Sequence, residues 1–176
     1  MKIDIQKLQT GPLSITLDHR PKYFNLESDE FEVRKNITGA LTFSLLGDKV
    51  LMTGDLHTII RMECSRCLEP VDIHVDKQAN LLFMHESEKD KEEILQHPNG
   101  QEVTYFNGKI LCPDRDIREL VLIELPDYPK CRESCRGLCP SCGKNLNRGE
   151  CSCEKSREEI IPEEKSWKKQ IKKLMS

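Results

Sequence analysis

Apolar and polar positions alternate through much of the first half of the chain, and the pattern predicts β structure. The stretch ITGALTFSLLGDKVLMTGDLHTIIRMEC, residues 37–64, mixes small, apolar and polar residues in the short period of strands. Gly47-Asp48 follows one apolar run and Gly54-Asp55 falls inside the next; both pairs read as hairpin or bulge signals between strands. Val71, Ile73 and Val75 alternate with Asp72, His74 and Asp76, which predicts a half-buried strand, with a second apolar strand after it towards Met84. Residues 86–101 are polar and mostly acidic and carry His97-Pro98-Asn99-Gly100, as expected of a flexible loop or short surface helix.

The second half changes period. Lys109-Ile110-Leu111-Cys112 is a short strand candidate. Ile117, Leu120, Val121 and Leu125 then fall near helical spacing, with Asp114 or Asp116 as the expected cap and Pro126 as the stop. Leu122 and Ile123 widen the apolar face, so this helix is expected to lie across the sheet as its main cover. A final amphipathic helix is expected from Pro162, with Trp167, Ile171 and Leu174 on one face. Lys165, Lys168, Lys169, Lys172 and Lys173 form its wet face, a surface that could also touch RNA or a partner. The expected fold is α+β: a β-rich antiparallel sheet or partial barrel, a covering helix and a cysteine-rich zinc-knuckle tail. The expected segments are 1–126, 127–155 and 156–176.

Composition narrows the chemistry. The 176 residues are 37% hydrophobic and 32% charged, enough for one cored domain and a small appendage. A net charge of −3 gives no global reason to bind a polyanion, so any RNA contact needs local basic patches. Aromatics make up 5% and leave few candidates for stacking on bases. The N-terminal MKIDIQKLQTGPLSITLDHR has no apolar run of signal-peptide or membrane-span length. The expectation is a cytosolic protein without a membrane partner, in a compartment that keeps thiols reduced.

Cysteine spacing supplies the strongest chemical signal. Of nine cysteines, Cys131, Cys135, Cys139, Cys142, Cys151 and Cys153 crowd one segment, and Cys64-Ser65-Arg66-Cys67 lies upstream. Two thiolates separated by two residues can turn onto one metal ion, and Gly143 after Cys142 permits the tight turn. Setting aside the isolated Cys112 leaves eight thiols, the donors of two tetrahedral zinc sites. The simplest partition joins Cys64 and Cys67 to Cys131 and Cys135, and Cys139 and Cys142 to Cys151 and Cys153. The tight Cys151-Ser152-Cys153 spacing also allows Cys131 or Cys135 to replace one member of the second group. One or two structural Zn²⁺ ions are therefore expected. Arg66, Lys130, Arg132, Arg136, Lys144 and Arg148 lie close in sequence; they could offset the excess thiolate charge or contact phosphate. A thioredoxin-type dithiol at Cys64 and Cys67 would normally open a helix, whereas Leu68-Glu69-Pro70 and a strand-like run follow here. The histidines His19, His57, His74, His85 and His97 are scattered, and no nucleophile motif or phosphate loop is present. No catalytic residue is expected.

Four stretches, in order, resemble the YceD-like family, the large ribosomal RNA subunit accumulation proteins. They are Cys64-Ser65-Arg66-Cys67-Leu68-Glu69-Pro70; the helix Asp116 to Leu125; the exit Pro126 to Pro129; and Cys135 to Asn147, which ends in GLCPSCGKNLN and is closed by Cys151-Ser152-Cys153. The resemblance runs from about Met62 to the C-terminus. It implies a cytosolic bacterial protein that is not an enzyme and supports synthesis, processing or stability of large-subunit (23S) rRNA. It also implies that Cys64, Cys67 and the C-terminal cysteines are functional, and that Leu68-Glu69-Pro70 is a contact surface. The expected partner is large-subunit rRNA or a pre-ribosome, or a ribosomal or assembly protein, with Arg66, Arg132, Arg136, Lys144 and Arg148 as contact residues. Two alternatives are a zinc-dependent protein-interaction adaptor and a thiol oxidoreductase using Cys64 and Cys67.

Overall fold

The computed structural model describes residues 1–86 and 102–153. The expected loop or short helix over 86–101 and the final helix with its lysine face lie outside these residues, apart from Glu86. The chain divides into two units. One comprises Met1–Glu63 with Pro70–Pro129, and the other Cys64–Glu69 with the residues from Lys130 onward.

The first unit is built on sheets. β1 (Ile3–Asp4), the short helix α1 (Ile5–Leu8) and β2 (Leu13–His19) open it. A 3₁₀ turn, Pro21–Phe24, and β3 (Glu32–Val33) follow. β4 (Ile37–Leu46), β5 (Lys49–Glu63) and β6 (Pro70–His85) are long strands. β7 (Glu102–Phe106), β8 (Ile110–Leu111) and helix α2 (Asp114–Leu122) complete the unit. One sheet runs in the order β2-β4-β5-β6-β7, with β3 also on β5, and a separate ribbon pairs β1 with β8. The large sheet is mixed rather than purely antiparallel, because β7 pairs with β6 in parallel. Its path ends at β2 and β7, so the sheet is open.

The alternation seen in the sequence sets which face is dry. Ile37, Leu41 and Phe43 on β4, and Val50, Met52, Leu56 and Ile60 on β5, are buried on one face. Val75, Ala79, Leu81 and Phe83 of β6 continue that face. At its end β6 buries Leu81, Leu82, Phe83 and Met84 in succession. Both faces are covered there, so the period of two disappears from the sequence. That is why this part read as a second strand, although β6 is continuous from Pro70 to His85.

Of the two Gly-Asp pairs, only Gly47-Asp48 makes a turn. It joins β4 to β5 between the paired Leu46 and Lys49, with φ +66° at Gly47, as a two-residue hairpin with glycine first requires. Gly54-Asp55 lies within β5. Gly54 opposes Leu41, and Gly39 opposes Leu56. A Cβ on Gly54 would stand 1.9 Å from the Ala40 carbonyl oxygen, and one on Gly39 2.0 Å from that of Asp55. These glycines permit close backbone approach inside the ladder.

Helix α2 adds Ile117, Leu120 and Val121 to the same core. The expected aspartate cap is absent: Pro113 occupies the cap position, and Asp114 and Asp116 stand in the first turn. Asp114 instead pairs with the N-terminal ammonium. The helix also ends at Leu122, before the expected stop at Pro126, with Ile123 as its cap.

Candidate metal centres

The second unit begins with two turns of the same construction. In one, the Leu68 N–H donates to the Cys64 carbonyl at 2.9 Å and the Cys64 N–H to the Glu69 carbonyl at 2.8 Å. In the other, the Gly143 N–H donates to the Cys139 carbonyl at 2.8 Å and the Cys139 N–H to the Lys144 carbonyl at 2.8 Å. Each Cys-x-x-Cys thus forms a loop in which the residue after the second cysteine takes a left-handed conformation, φ +59° at Leu68 and +71° at Gly143. Glycine adopts that conformation at no steric cost and leucine does not. The Leu68 side chain is nonetheless 58% exposed.

The sulfurs converge in two groups: Cys64, Cys67, Cys131 and Cys135, and Cys139, Cys142, Cys151 and Cys153. Within each group they lie within 4.8 Å of one another. This is the partition expected from chain order, and the tight Cys151-Ser152-Cys153 spacing places both sulfurs in the second group. Cys64 and Cys135 sulfurs are 3.9 Å apart, and those of Cys67 and Cys131 3.7 Å. A disulfide needs about 2 Å, whereas a tetrahedron with metal–sulfur bonds of about 2.3 Å has edges of about 3.8 Å. Either group could hold a metal ion. Cys112 is exposed and belongs to neither.

Burial and backbone hydrogen bonds divide the thiols electrostatically. Burial pushes the Cys64 thiol up, but hydrogen bonds from the backbone of Arg66, Cys131 and Cys67 outweigh it and bring it down to about 6. The backbone of Cys142 and Ser141 likewise brings Cys139 down to about 6. Burial and the neighbouring Cys135, Cys67 and Cys64 sulfurs push Cys131 up to about 12. Hydrogen bonding to Cys142, then burial, pushes Cys153 up to about 11. Each group therefore has a thiol ready to ionise beside one that resists adding further negative charge. A divalent cation removes that repulsion and takes the place of the remaining protons.

The structure gives most of the expected contact cations a local partner. Arg66 donates from Nη1 to the Cys135 carbonyl at 3.0 Å. Arg148 pairs with Glu69 at 2.7 Å, and Lys144 donates to the Glu150 carbonyl at 2.7 Å. Arg132 and Arg136 are exposed. The backbone also links the loops that hold the two groups: the Leu138 N–H donates to the Arg66 carbonyl at 3.0 Å, and the Leu146 N–H to the Gly137 carbonyl at 2.9 Å.

Asn147 has a part that spacing did not suggest. Its Nδ2 donates to the Cys135 sulfur at 3.3 Å, and its Oδ1 accepts from the Arg136 N–H at 2.8 Å. The Asn145 side chain in turn holds Asn147 by accepting from its N–H at 2.9 Å. The signal was the Asn-Leu-Asn end of the GLCPSCGKNLN motif, but no periodicity tells which sulfur such an amide would reach. The first Cys-x-x-Cys pair lies between β5 and β6 and does not open a helix, the setting a thioredoxin-type dithiol requires. Among the described residues, no helix is long and apolar enough to cross a membrane.

Comparisons with known proteins give the chain its relatives. An uncharacterized protein of Mycobacterium tuberculosis is 30% identical over 151 residues, covering 83% of this chain and 70% of its own length. An uncharacterized protein of Mycobacterium leprae is 35% identical over 101 residues, 57% of this chain and 45% of its own. A chloroplastic protein of Arabidopsis thaliana, named large ribosomal RNA subunit accumulation protein YCED homolog 1, is 26% identical over 127 residues, 60% of this chain and 40% of its own. No solved structure matches. Residues 52–169, which contain both cysteine groups, match the family described as large ribosomal RNA subunit accumulation protein YceD. On that match, which covers more than half of its residues, the chain belongs to the YceD family.

Proposed function

We propose that the protein is a non-enzymatic ribosome biogenesis factor, acting in the cytoplasm on the synthesis, processing or stability of large-subunit rRNA. The observation that carries this reading is the family match over residues 52–169. The plant relative's name points the same way. The cysteine groups add a structural role for metal. Zinc suits four thiolates at tetrahedral spacing, needs no redox change, and completes its shell with protein ligands in structural sites. Cys64, Cys67, Cys131 and Cys135 would hold one ion, and Cys139, Cys142, Cys151 and Cys153 the other. The metal-bound unit would then display Arg132 and Arg136, with Arg66, Lys144 and Arg148 on the same loops, towards rRNA or an assembly protein.

Depletion of the protein in its own cells tests this. The expected result is a fall in 23S rRNA relative to 16S rRNA, restored by the wild-type chain and not by Cys64→Ser/Cys139→Ser. An unchanged rRNA ratio would sink the reading. Metal analysis of the purified native chain should give close to two zinc ions per chain.

A further inference from the structure

We infer that the first unit carries its own contact surface for single-stranded RNA, centred on Tyr23 and distinct from the cysteine-rich loops. It rests on the RNA-linked role proposed above for the nature of the strand, but on separate residues. Tyr23 sits in the 3₁₀ turn that follows β2. The neighbouring Phe24 is buried and anchors the turn, 2% exposed, whereas Tyr23 is 46% exposed. The His19 ring backs the tyrosine in a stack, centroids 4.3 Å apart and planes 12° from parallel. Phe24 meets it edge-on at 5.0 Å. A tyrosine held between rings while still open to solvent offers a flat π surface, the group on which unpaired bases stack. In a chain with three tyrosines and one tryptophan, such a surface is scarce.

Cations line the surface next to this turn. A groove of about 620 Å³ beside the turn is lined by Arg20, Lys22, Arg34 and Lys35, with Glu27 and Glu32 as its acids. Arg34 is occupied by Glu32 at 2.6 Å. Arg20, Lys22 and Lys35 are exposed and stand outside the ion pairs of the described residues. Tyr23 itself shares a recess of about 320 Å³ with Arg115, Arg118 and Asp114; there Arg115 is occupied by Glu119 at 2.8 Å and Arg118 donates from Nε to the Asn25 carbonyl at 3.1 Å. A polymer that alternates negative charges with π faces satisfies both features at once. An acidic protein surface would satisfy only the cations.

Binding of fluorescein-labelled single-stranded RNA to the full, metal-loaded chain tests this by fluorescence anisotropy. Tyr23→Ala should weaken binding by about tenfold or more, and Tyr23→Phe should retain it. Lys22→Glu/Lys35→Glu should weaken it further and make the salt slope shallower by about 0.7 for each phosphate no longer neutralised. Double-stranded RNA of the same sequence should bind less well than the single strand, because its bases are already stacked. Single-stranded DNA that binds as tightly would show that the strand's bases and phosphates, without its 2′-hydroxyls, are what is read, and would support the surface. Three results overturn the inference: no RNA binding at low salt; binding that Tyr23→Ala and the Lys22/Lys35 variant leave intact but Arg132→Glu/Arg136→Glu removes; or equal binding of polyglutamate insensitive to Tyr23→Ala. None of these touches the rRNA ratio in depleted cells, so failure here is separable from failure of the proposed function.

Discussion

At the scale of single residues, the paired Cys-x-x-Cys turns form a natural experiment. Leu68 and Gly143 occupy the same place in the same hydrogen-bonded loop, both at positive φ. Leucine there costs about 1–2 kcal/mol of backbone strain, and its exposed side chain recovers little by burial. Leu68→Gly should therefore raise stability by about 1 kcal/mol, and Gly143→Ala should lower it by a similar amount; thermal unfolding of the metal-loaded chain reads both. Asn147→Ala removes a hydrogen bond to the Cys135 sulfur and should weaken metal retention by about tenfold or more, as measured by chelator competition. On the sheet surface, His57 bridges the carboxylates of Asp76 and Asp55, each at 2.7 Å, and both hold its pKa up. Its folded pKa exceeds the unfolded value of about 6.5. Its contribution is therefore fully present below that pH and is lost as pH rises through the folded pKa. Exposure to solvent keeps it small. His57→Gln should flatten that part of the plot of Tm against pH.

At the scale of elements, strand content was legible wherever one face is wet. The alternation in β5 and in the first half of β6 carries the register, since a one-residue slip would turn Leu56 and Val75 out to solvent. It failed where both faces are covered, at Leu81–Met84, and where glycine serves close approach instead of a turn, at Gly54. A β4–β5 ladder that brings the Ala40 carbonyl to the Gly54 α-carbon cannot absorb a methyl group without moving backbone. Gly54→Ala should cost at least about 2 kcal/mol, whereas Gly47→Asn in the turn, with open space around it, should cost well under about 1 kcal/mol. Denaturant midpoints of the two variants check the contrast. The β1–β8 ribbon and the parallel β6–β7 pairing were not legible, because each sets a short strand against a non-adjacent partner that no local pattern names. The first turn of α2 shows the same limit: its aspartates looked like caps, and the N-terminal ammonium takes Asp114 instead.

At the scale of the whole molecule, the two units differ in what holds them. The first has a continuous apolar core drawn from its sheets and α2. Among the described residues, the buried cluster of the second consists of Cys64, Cys67 and Cys135, packed with Cys131 and Leu138. So little apolar surface cannot offset the conformational entropy of ordering these loops, and metal–sulfur bonds would supply what burial does not. Chelation under reducing conditions should abolish amide-exchange protection at Cys64, Leu138, Cys139 and Gly143, leave it at Met52 and Leu56 of β5, and be reversed by Zn²⁺. Protection that survives chelation would remove the structural role of metal. The sequence by itself determined the strand-rich class and the donor atoms, because side-chain period and ligand chemistry are local properties; which four sulfurs meet in each group was settled by the fold. Only the tertiary structure decided that Arg66, Lys144 and Arg148 are engaged by nearby groups, that Asn147 reaches Cys135, and that Tyr23 stands open while stacked on His19. Those facts depend on where residues remote in the chain come to rest, and that is set by packing.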